Sequence, residues 1–357
     1  MPISVTCLEM HKGLRSVETV SLKKVGMIFR PYIGPVLALL LISVVVGFTT
    51  DRFWAVDNWI NIFRAVSVVA IMAIGAMLVI LIGGIDISSG PMIALTSMVL
   101  ATLVRNMGFP LWTGIVLTIV LATALGAFNG LLVVLFRMPA FVVTLATASA
   151  LRGAAFLFHE GAAIFTVDPN FSPLFLGMVF GIPLPLIYVA VLYILFSYIL
   201  KYTKLGREIY AVGGNEQAAR LSGINVKKVK LLVFALAGMM TGVASVLMSA
   251  WTNSGSPNFA VGLEMWAIAA AVVGGASLAG GRGFIFNALF GALIIQVVRN
   301  GLNLNAAPNT VQDIALGAII VLAVILDVWK GNLGLKIRKL FSRESEAETL
   351  EPSADKK

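Results

Sequence analysis

Charged residues are scarce in this sequence: they occupy 12% of its 357 positions, about half of the roughly 25% found in soluble domains. Hydrophobic residues account for 59% of the chain, and the mean hydropathy is +0.96. Only a surface that faces lipid can carry that much apolar area. The composition therefore excludes an ordinary soluble domain and predicts an all-α, polytopic membrane protein.

Cysteine and nucleotide-binding motifs are also missing or nearly so. The single cysteine, Cys7, excludes an internal disulfide, and we expect it to be a reduced thiol in a cytoplasmic tail. Neither G-x-x-x-x-G-K-[ST] nor G-x-G-x-x-G after a strand occurs, so ATP is not expected to bind this chain. His159 and Glu160 begin an incomplete zinc motif, because Ala163 replaces the second histidine. We predict no catalytic residues, no metal and no cofactor in this chain.

Uncharged runs long enough to cross a bilayer follow one another along most of the chain. A spanning helix needs about 20 apolar residues. About ten transmembrane helices are predicted, near 31–50, 65–83, 88–105, 112–135, 139–158, 176–200, 230–251, 263–279, 284–302 and 311–329. The transmembrane domain then covers 31–329, between a polar tail at 1–30 that does not resemble a signal peptide and a partly disordered tail at 330–357.

The distribution of Lys and Arg predicts the orientation, because these residues accumulate on the cytoplasmic side of a membrane. With both termini inside, only five of the 26 basic residues lie on the outer side: Arg52, Arg64, Arg105, Arg152 and Arg299. The net charge of +9 then lies mainly in loops and tails that face anionic lipid headgroups. It requires no nucleic-acid partner.

Two glycine-rich segments interrupt the apolar runs, "GGIDISSG" at 83–90 and "GGASLAGG" at 274–281. Glycine lets the backbone leave a helix, and broken helices in transporters often border the substrate path. Their similar settings, six predicted helices apart, suggest two weakly repeated halves. The predicted break or gating residues are Gly83, Gly84, Asp86, Ser88, Gly90, Gly274, Gly275, Ser277, Gly280 and Gly281.

Asp86 lies between uncharged runs that cover 65–85 and 87–104. An intramembrane acid can be a proton or cation site. It can also cap the following helix by accepting hydrogen bonds from the N–H groups around Ser88, Ser89 and Gly90. A proton-coupled carrier would be expected to hold more acid in its core, where only Glu264 is also found. We therefore prefer the capping role.

The longest polar inner segment, 201–230, contains seven basic and two acidic residues and also carries the signals of a short helix. In "GGNEQAARLSGI", Asn215 suits an N-cap, Glu216 suits the positive end of the helix dipole, and Gly223 suits the C-terminal stop. So short a helix is unstable alone in water and must dock. It either lies at the membrane interface as a plain loop helix or contacts a cytoplasmic partner.

Neutral polar residues inside the predicted helices are candidates for the path of a hydroxyl-rich substrate. Each could equally form a hydrogen bond between helices. The candidates are Asn129, Thr144, Asn287 and Asn300. Three G-x-x-x-G patterns, beginning at Gly126, Gly177 and Gly238, permit close helix packing, either inside one subunit or between two.

Several ordered motifs resemble the permease subunits of the ribose and related monosaccharide ABC importers. They are "GGIDISSG", "MPAFVVTLATASALRG", "GREIYAVGGNEQAARLSGINVKKVKLLVFALAG", "GLEMWAIAAAVVGGASLAGGRGFIFNALFGALI" and "NGLNL". The resemblance covers about 35–330. It implies a sugar path through the bacterial inner membrane, with the residues Gly214, Asn215, Glu216, Ala218, Ala219, Arg220, Leu221, Ser222 and Gly223 as a coupling helix for an ATP-binding subunit.

The resemblance also implies further partners. A second permease subunit, identical or homologous, would pair with this one, and a soluble sugar-binding protein would deliver substrate. ATP and magnesium would bind the separate ATP-binding subunit. The alternative hypothesis is a stand-alone ion-coupled transporter or channel that uses Asp86 and Glu264.

Overall fold

The computed structural model describes residues 32–325. The predicted tails at 1–30 and 330–357, Cys7 and the end of the last predicted helix lie outside the described residues. Helices dominate the described part, in the order α1 (Tyr32–Gly47), α2 (Val56–Leu81), α3 (Ser89–Ala101), α4 (Leu111–Phe136), α5 (Ala140–Leu157), α6 (Pro173–Leu176), α7 (Leu184–Tyr202), α8 (Lys204–Gly214), α9 (Glu216–Leu221), α10 (Val226–Thr252), α11 (Leu263–Val273), α12 (Ile285–Leu304) and α13 (Asn309–Ile325).

Six of these helices are long and apolar enough to cross a membrane: α2, α4, α5, α7, α10 and α12. Shorter helices occupy the other predicted segments, and α3 continues through a π-helical turn at Thr102–Asn106. The chain is therefore a multi-pass, predominantly helical protein, as its composition predicts.

Three predicted boundaries are wrong. The helix predicted at 65–83 begins already at Val56, because Arg64 lies inside the helix and does not precede it. The helix predicted at 176–200 begins only at Leu184, because β2 (Met178–Val179) and β3 (Ile182–Pro183) form a hairpin first. Gly181 has a φ of +78°, which glycine adopts without strain and which turns this hairpin. The helix predicted at 263–279 ends at Val273, where the second glycine-rich segment begins.

A second small ladder joins two loops that the sequence leaves far apart. In it, β1 (Ile164–Phe165) pairs antiparallel with β4 (Ser254–Gly255), and Ile164 lies opposite Gly255. Arg152 of α5 holds the same region, since its guanidinium donates to the carbonyl oxygens of Pro257 (2.7 Å) and Phe259 (2.9 Å). The loop after α10 is thereby fastened to α5 and to the loop that follows it.

Helix α2 forms the centre of the structure. Its sequence is apolar on all sides after the first turns, as expected for a helix surrounded by protein. It packs against α7, α10, α11 and α12. The buried Tyr193 of α7 donates its hydroxyl hydrogen to the carbonyl oxygen of Ala70 at 2.9 Å, which satisfies the polar tip of this aromatic side chain.

Two of the three G-x-x-x-G patterns pack against each other within this chain. A Cβ on Gly126 of α4 would lie 2.8 Å from the Cα of Gly238 of α10, and a Cβ on Gly242 would lie 3.0 Å from the Cα of Ile119. Only glycine allows backbones to approach so closely. The third pattern, beginning at Gly177, lies at the hairpin instead of in a membrane helix.

Candidate gating and coupling site

The first break, residues 82–88, is a non-helical segment between α2 and α3 that begins with a turn at Ile82 and Gly83. Asp86 is buried, and one of its carboxylate oxygens accepts hydrogen bonds from the backbone N–H of Ser88 (2.8 Å) and from its hydroxyl (2.6 Å). The carboxylate therefore folds the chain immediately before α3. Ser88, not Asp86, is the N-cap residue of that helix.

Side chains of α4 and α5 hold the same segment. Asn129 donates from its amide to the Ser88 hydroxyl at 2.8 Å. The Thr144 hydroxyl donates to the carbonyl oxygen of Ile85 (3.1 Å) and accepts from the backbone N–H of Ile87 (3.2 Å). Backbone groups freed from a helix inside a membrane need such partners. Both candidate substrate residues are therefore engaged with the break in this structure.

The second break, residues 274–284, is held mainly by backbone contacts. Ser277 donates its N–H to the carbonyl oxygen of Arg282 (3.0 Å), and its own carbonyl accepts the N–H of Gly280 (2.9 Å). Gly274 lies so close to the backbone of Asn287 on α12 that a side chain there would overlap it. Gly275 (φ +95°) follows in a conformation that favours glycine.

The two breaks meet each other and the end of α8. Gly281 donates its N–H to the carbonyl oxygen of Leu81, the last residue of α2, at 2.9 Å. A Cβ on Gly280 would lie 2.9 Å from the backbone N of Gly83 and from the carbonyl oxygen of Gly213. We call this contact region the glycine junction; its residues are Leu81, Gly83, Gly213, Gly214, Gly280 and Gly281.

Helix α8 is bound to the second break by a side chain as well. The Tyr210 hydroxyl donates to the carbonyl oxygen of Gly283 at 2.7 Å. Three residues further on, a Cβ on Gly213 would overlap the carbonyl oxygen of Leu81. Sequence reasoning missed both Tyr210 and Gly213. An aromatic residue in a basic loop and a glycine pair inside a helical pattern are the signals that could have identified them.

The other residues predicted for the breaks and for the substrate path are not part of the glycine junction. Gly84 donates its N–H to the carbonyl oxygen of Val79 (2.9 Å). Gly90, in the first turn of α3, lies against the Glu264 carboxylate of α11. Asn287 is buried in α12. Asn300 forms a reciprocal amide pair with Asn58 of α2, at 2.8 and 3.0 Å, so it links two helices far from the glycine junction.

The short helix predicted in the polar loop is confirmed as α9. Asn215 is its N-cap, with the side-chain oxygen accepting the N–H of Ala218 at 3.0 Å, and Gly223 (φ +82°) follows its end. Ala219 is buried against the protein, whereas Leu221 is 90% exposed. The apolar side chain of Leu221 therefore points away from the rest of the described chain.

Charged side chains fasten α9 to α10. Glu216 pairs with Arg220 one turn later (3.0 Å) and with Lys230 of α10 (2.7 Å). The hydrogen bond from Lys230 is the main cause that lowers the pKa of Glu216, and the Arg220 charge adds to it. The carboxylate therefore stays ionised. Its attachment to Lys230 sets the position of α9 relative to the membrane helices.

Comparison with known proteins places this arrangement among membrane transport permeases. Residues 58–324 match the family model described as branched-chain amino acid transport system / permease component. The chain is 40% identical over 300 residues to the ribose import permease protein of Haemophilus influenzae, covering 83% of this chain and 93% of that protein. No solved structure matches it significantly.

Two relatives from Escherichia coli K12 agree with this result. The ribose import permease protein is 39% identical over 82% of this chain and 92% of its own length, and the D-allose transport system permease protein is 34% identical over 81% and 88%. The chain belongs to this permease family. Its resemblance to permeases of monosaccharide importers is thereby confirmed, and the alternative of a stand-alone ion-coupled transporter or channel does not fit these relatives.

Proposed function

We propose that this chain forms the membrane path of an ATP-driven importer for a monosaccharide, such as a ribose-like pentose, a hexose or a related small polyol. The permease family and the sugar-importing relatives support this assignment. The described residues contain no cluster of His, Cys, Asp or Glu that could hold a metal. ATP and magnesium are assigned to a separate ATP-binding subunit.

The observation that carries the mechanism is the glycine junction. A coupling helix must transmit a conformational change in the ATP-binding subunit to the substrate path. Here α9 follows directly on α8, and the end of α8 touches both helix breaks through Gly213 and Gly214. Packed backbones without intervening side chains move together, since they leave little space to absorb a displacement. A shift of α9 would therefore reach both breaks at once.

This coupling would produce alternating access. In one state the breaks would keep the path closed at the coupling-loop side, and ATP binding would shift the balance toward the other state. The chain supplies two packing arrangements and no bond chemistry. Exposed Leu221 would enter the ATP-binding subunit, while the Glu216–Lys230 pair would hold α9 at the correct angle.

The orientation follows from the same assignment. We place the coupling loop 201–230 and both tails in the cytoplasm, with about ten helices crossing the bacterial inner membrane. The transmembrane domain would extend over 31–329. A sugar-binding protein would dock at the opposite side, where Arg152 and the β1–β4 ladder brace the loop after α10. A second permease subunit, identical or homologous, would complete the path.

Reconstitution tests the proposal directly. The purified chain, with and without its ATP-binding subunit, is placed in proteoliposomes with the sugar-binding protein, and uptake of labelled ribose is measured. We expect uptake to require both ATP and the ATP-binding subunit. Uptake by this chain alone, driven by a proton gradient, would overturn the proposal.

The role of Leu221 is tested in the same vesicles. Leu221→Asp places a charge on the exposed end of α9, so binding of the ATP-binding subunit should fall at least about tenfold, as expected when a buried contact residue is lost. Leu221→Met keeps the apolar surface and should stay within about twofold of the unchanged protein. Equal losses in both variants would contradict a specific apolar contact.

A further inference from the structure

A cleft of about 280 Å³ lies where the end of α4, the short helix α9 and the first turns of α10 meet. We call it the basic cleft. Its ionisable lining residues are Arg137, Glu216, Arg220, Lys227 and Lys230. Four cations and one anion leave a net charge of +3, which makes the cleft a site for an anionic group.

Only some of the cations in the basic cleft form ion pairs with acidic residues of the described chain. Glu216 neutralises part of the charge of Arg220 and Lys230, which it contacts at 3.0 and 2.7 Å. Within residues 32–325, neither Arg137 nor Lys227 forms an ion pair. These two side chains therefore have donors available for a ligand.

Arg137 is also held in an uncommon conformation. It follows the end of α4 with φ 53° and ψ 34°, in the left-handed region that residues other than glycine seldom adopt. This turn leads the chain from α4 towards α5 while keeping Arg137 at the edge of the cleft. The backbone thus sets the direction in which the Arg137 side chain leaves the chain at the edge of the cleft.

The rest of the cleft wall is apolar. The same lining as the cations includes Val133 and Val134 of α4, Met138 of the turn before α5, and Val226 of α10. A free inorganic ion would gain nothing from contact with an apolar wall, whereas a ligand with a charged head and an apolar body would contact both the cations and the apolar residues. The lining therefore favours an amphipathic anion.

The position of the cleft relative to the membrane favours the same class of ligand. The cleft lies at the ends of α4 and α10, and both helices are long and apolar enough to cross the membrane. Leu135 and Phe136, next to Arg137, are exposed at the end of α4, on the surface of the protein where acyl chains would lie. Basic pockets between membrane helices at the cytoplasmic side are suited to lipid headgroups.

We propose that the basic cleft binds the phosphodiester headgroup of one anionic phospholipid, with Arg137 and Lys227 as its principal contacts. The inference rests on the proposed orientation, in which this end of the protein faces the cytoplasmic leaflet. Because Lys230 and Glu216 connect the cleft wall to α9, a bound lipid would also stabilise the position of the coupling helix.

The test uses the purified full chain without any partner subunit, in nanodiscs of phosphatidylcholine with or without phosphatidylglycerol of the same acyl chains. Retained lipid is measured by native mass spectrometry. We expect one phosphatidylglycerol per chain. The double variant Arg137→Gln/Lys227→Gln should reduce its retention at least about tenfold, because charge-assisted contacts to the phosphate are lost.

The matched control is Lys204→Gln/Lys228→Gln, which removes the same amount of charge at two positions of the segment 201–230 that do not line the cleft. It should change retention by less than about twofold, since exposed charges attract lipid only weakly. Thermal unfolding of both variants in the lipid-free state shows whether they are folded. Equal retention in the two double variants would overturn the proposal in favour of general surface attraction.

Two further measurements separate other sources of the anion. If millimolar inorganic phosphate removes phosphatidylglycerol, the cleft is a free-anion site. If the ATP-binding subunit displaces the lipid completely, the cleft belongs to that protein interface. Either outcome overturns the proposal. Because no transport step is measured, a negative lipid result leaves the proposed import function intact, and failed ATP-driven uptake leaves a positive lipid result standing.

Discussion

The first break, residues 82–88, and the second break, residues 274–284, both interrupt apolar helices with glycine-rich chain. The first break is held by side chains that reach it from α4 and α5, through Asn129 and Thr144. The second is held by its own backbone and by α8, through Tyr210. Similar sequence features thus have different supports, and only the second has a side-chain bond from the proposed coupling loop.

This difference suggests a division of roles. The first break is fixed to the membrane helices beside it, whereas the second can follow α8. The breaks are nevertheless joined at the glycine junction by the bond from Gly281 to Leu81. We infer that a shift of α8 would reach both breaks at this junction, and that the second break would follow it more closely because Tyr210 also holds it.

The glycine junction should be the most sensitive point. Gly213→Ala places a Cβ against the carbonyl oxygen of Leu81, so α8 must move away from both breaks. Overpacking of this kind costs about 1–3 kcal/mol, and we expect ATP-driven uptake to fall more than about tenfold. The adjacent variant Gly214→Ala is the control, because Gly214 belongs to the junction only through its backbone and an added Cβ would meet nothing within 4 Å. Equal uptake by the two variants would contradict the junction's role.

The first break should depend on Thr144. Thr144→Val keeps the side-chain shape but removes the hydroxyl that bonds Ile85 and Ile87. Leaving buried backbone groups without partners costs about 1–3 kcal/mol, measurable as a lower thermal unfolding temperature in detergent.

Thr147→Val is the matched control on the same helix, since the Thr147 hydroxyl bonds only the carbonyl of Thr144 within α5. A loss for Thr147→Val as large as that for Thr144→Val would show that the bonds to the break are not the cause.

The second break should respond more weakly to loss of Tyr210. Tyr210→Phe removes one hydrogen bond, to Gly283, at a cost of about 0.5–1.5 kcal/mol. Its specific signature would be a lower ratio of sugar transported to ATP hydrolysed, because α8 would be less firmly attached to the break. Tyr202→Phe, at the exposed end of α7, should leave that ratio unchanged.

The smallest effect is expected from pH. The folded-state pKa of Glu216 lies below its ordinary value of 4.5, so its stabilising contribution is present above that value and is lost as pH falls through the folded pKa. The contribution is about 0.5 kcal/mol, since the pair is partly exposed. Glu216→Gln should therefore be less stable near neutral pH, with the difference from the unchanged protein shrinking in acid.

The pH prediction is measured as thermal unfolding in detergent at several pH values. A constant difference between Glu216→Gln and the unchanged protein throughout the acid range would contradict the assignment to Glu216.

Local signals were sufficient for several features of this molecule. Asn215, Glu216 and Gly223 predict α9 correctly because an N-cap, a first-turn acid and a C-terminal glycine act within a few residues of each other. The Asp86 prediction was only partly correct. Its carboxylate binds the N–H of Ser88, but Ser88 itself occupies the capping position.

Long-range features could not be read in the same way. The polarity of Asn129 and Thr144 is equally consistent with a sugar path and with a helix-to-break bond, and only their neighbours distinguish these roles. The pairing of Gly126 with Gly238 likewise depends on which helices are adjacent. A sequence pattern shows that close approach is permitted, but it does not name the partner.

The membrane setting, most helical segments, the short α9 helix and the permease family can all be predicted from the sequence. These follow from composition, local hydrogen bonding and ordered motifs. The meeting of Gly213, the end of α2 and the second break at one junction is visible only in the folded chain. The physical reason is that a glycine's role depends on which backbone occupies the space its missing side chain leaves, and that backbone belongs to distant parts of the chain.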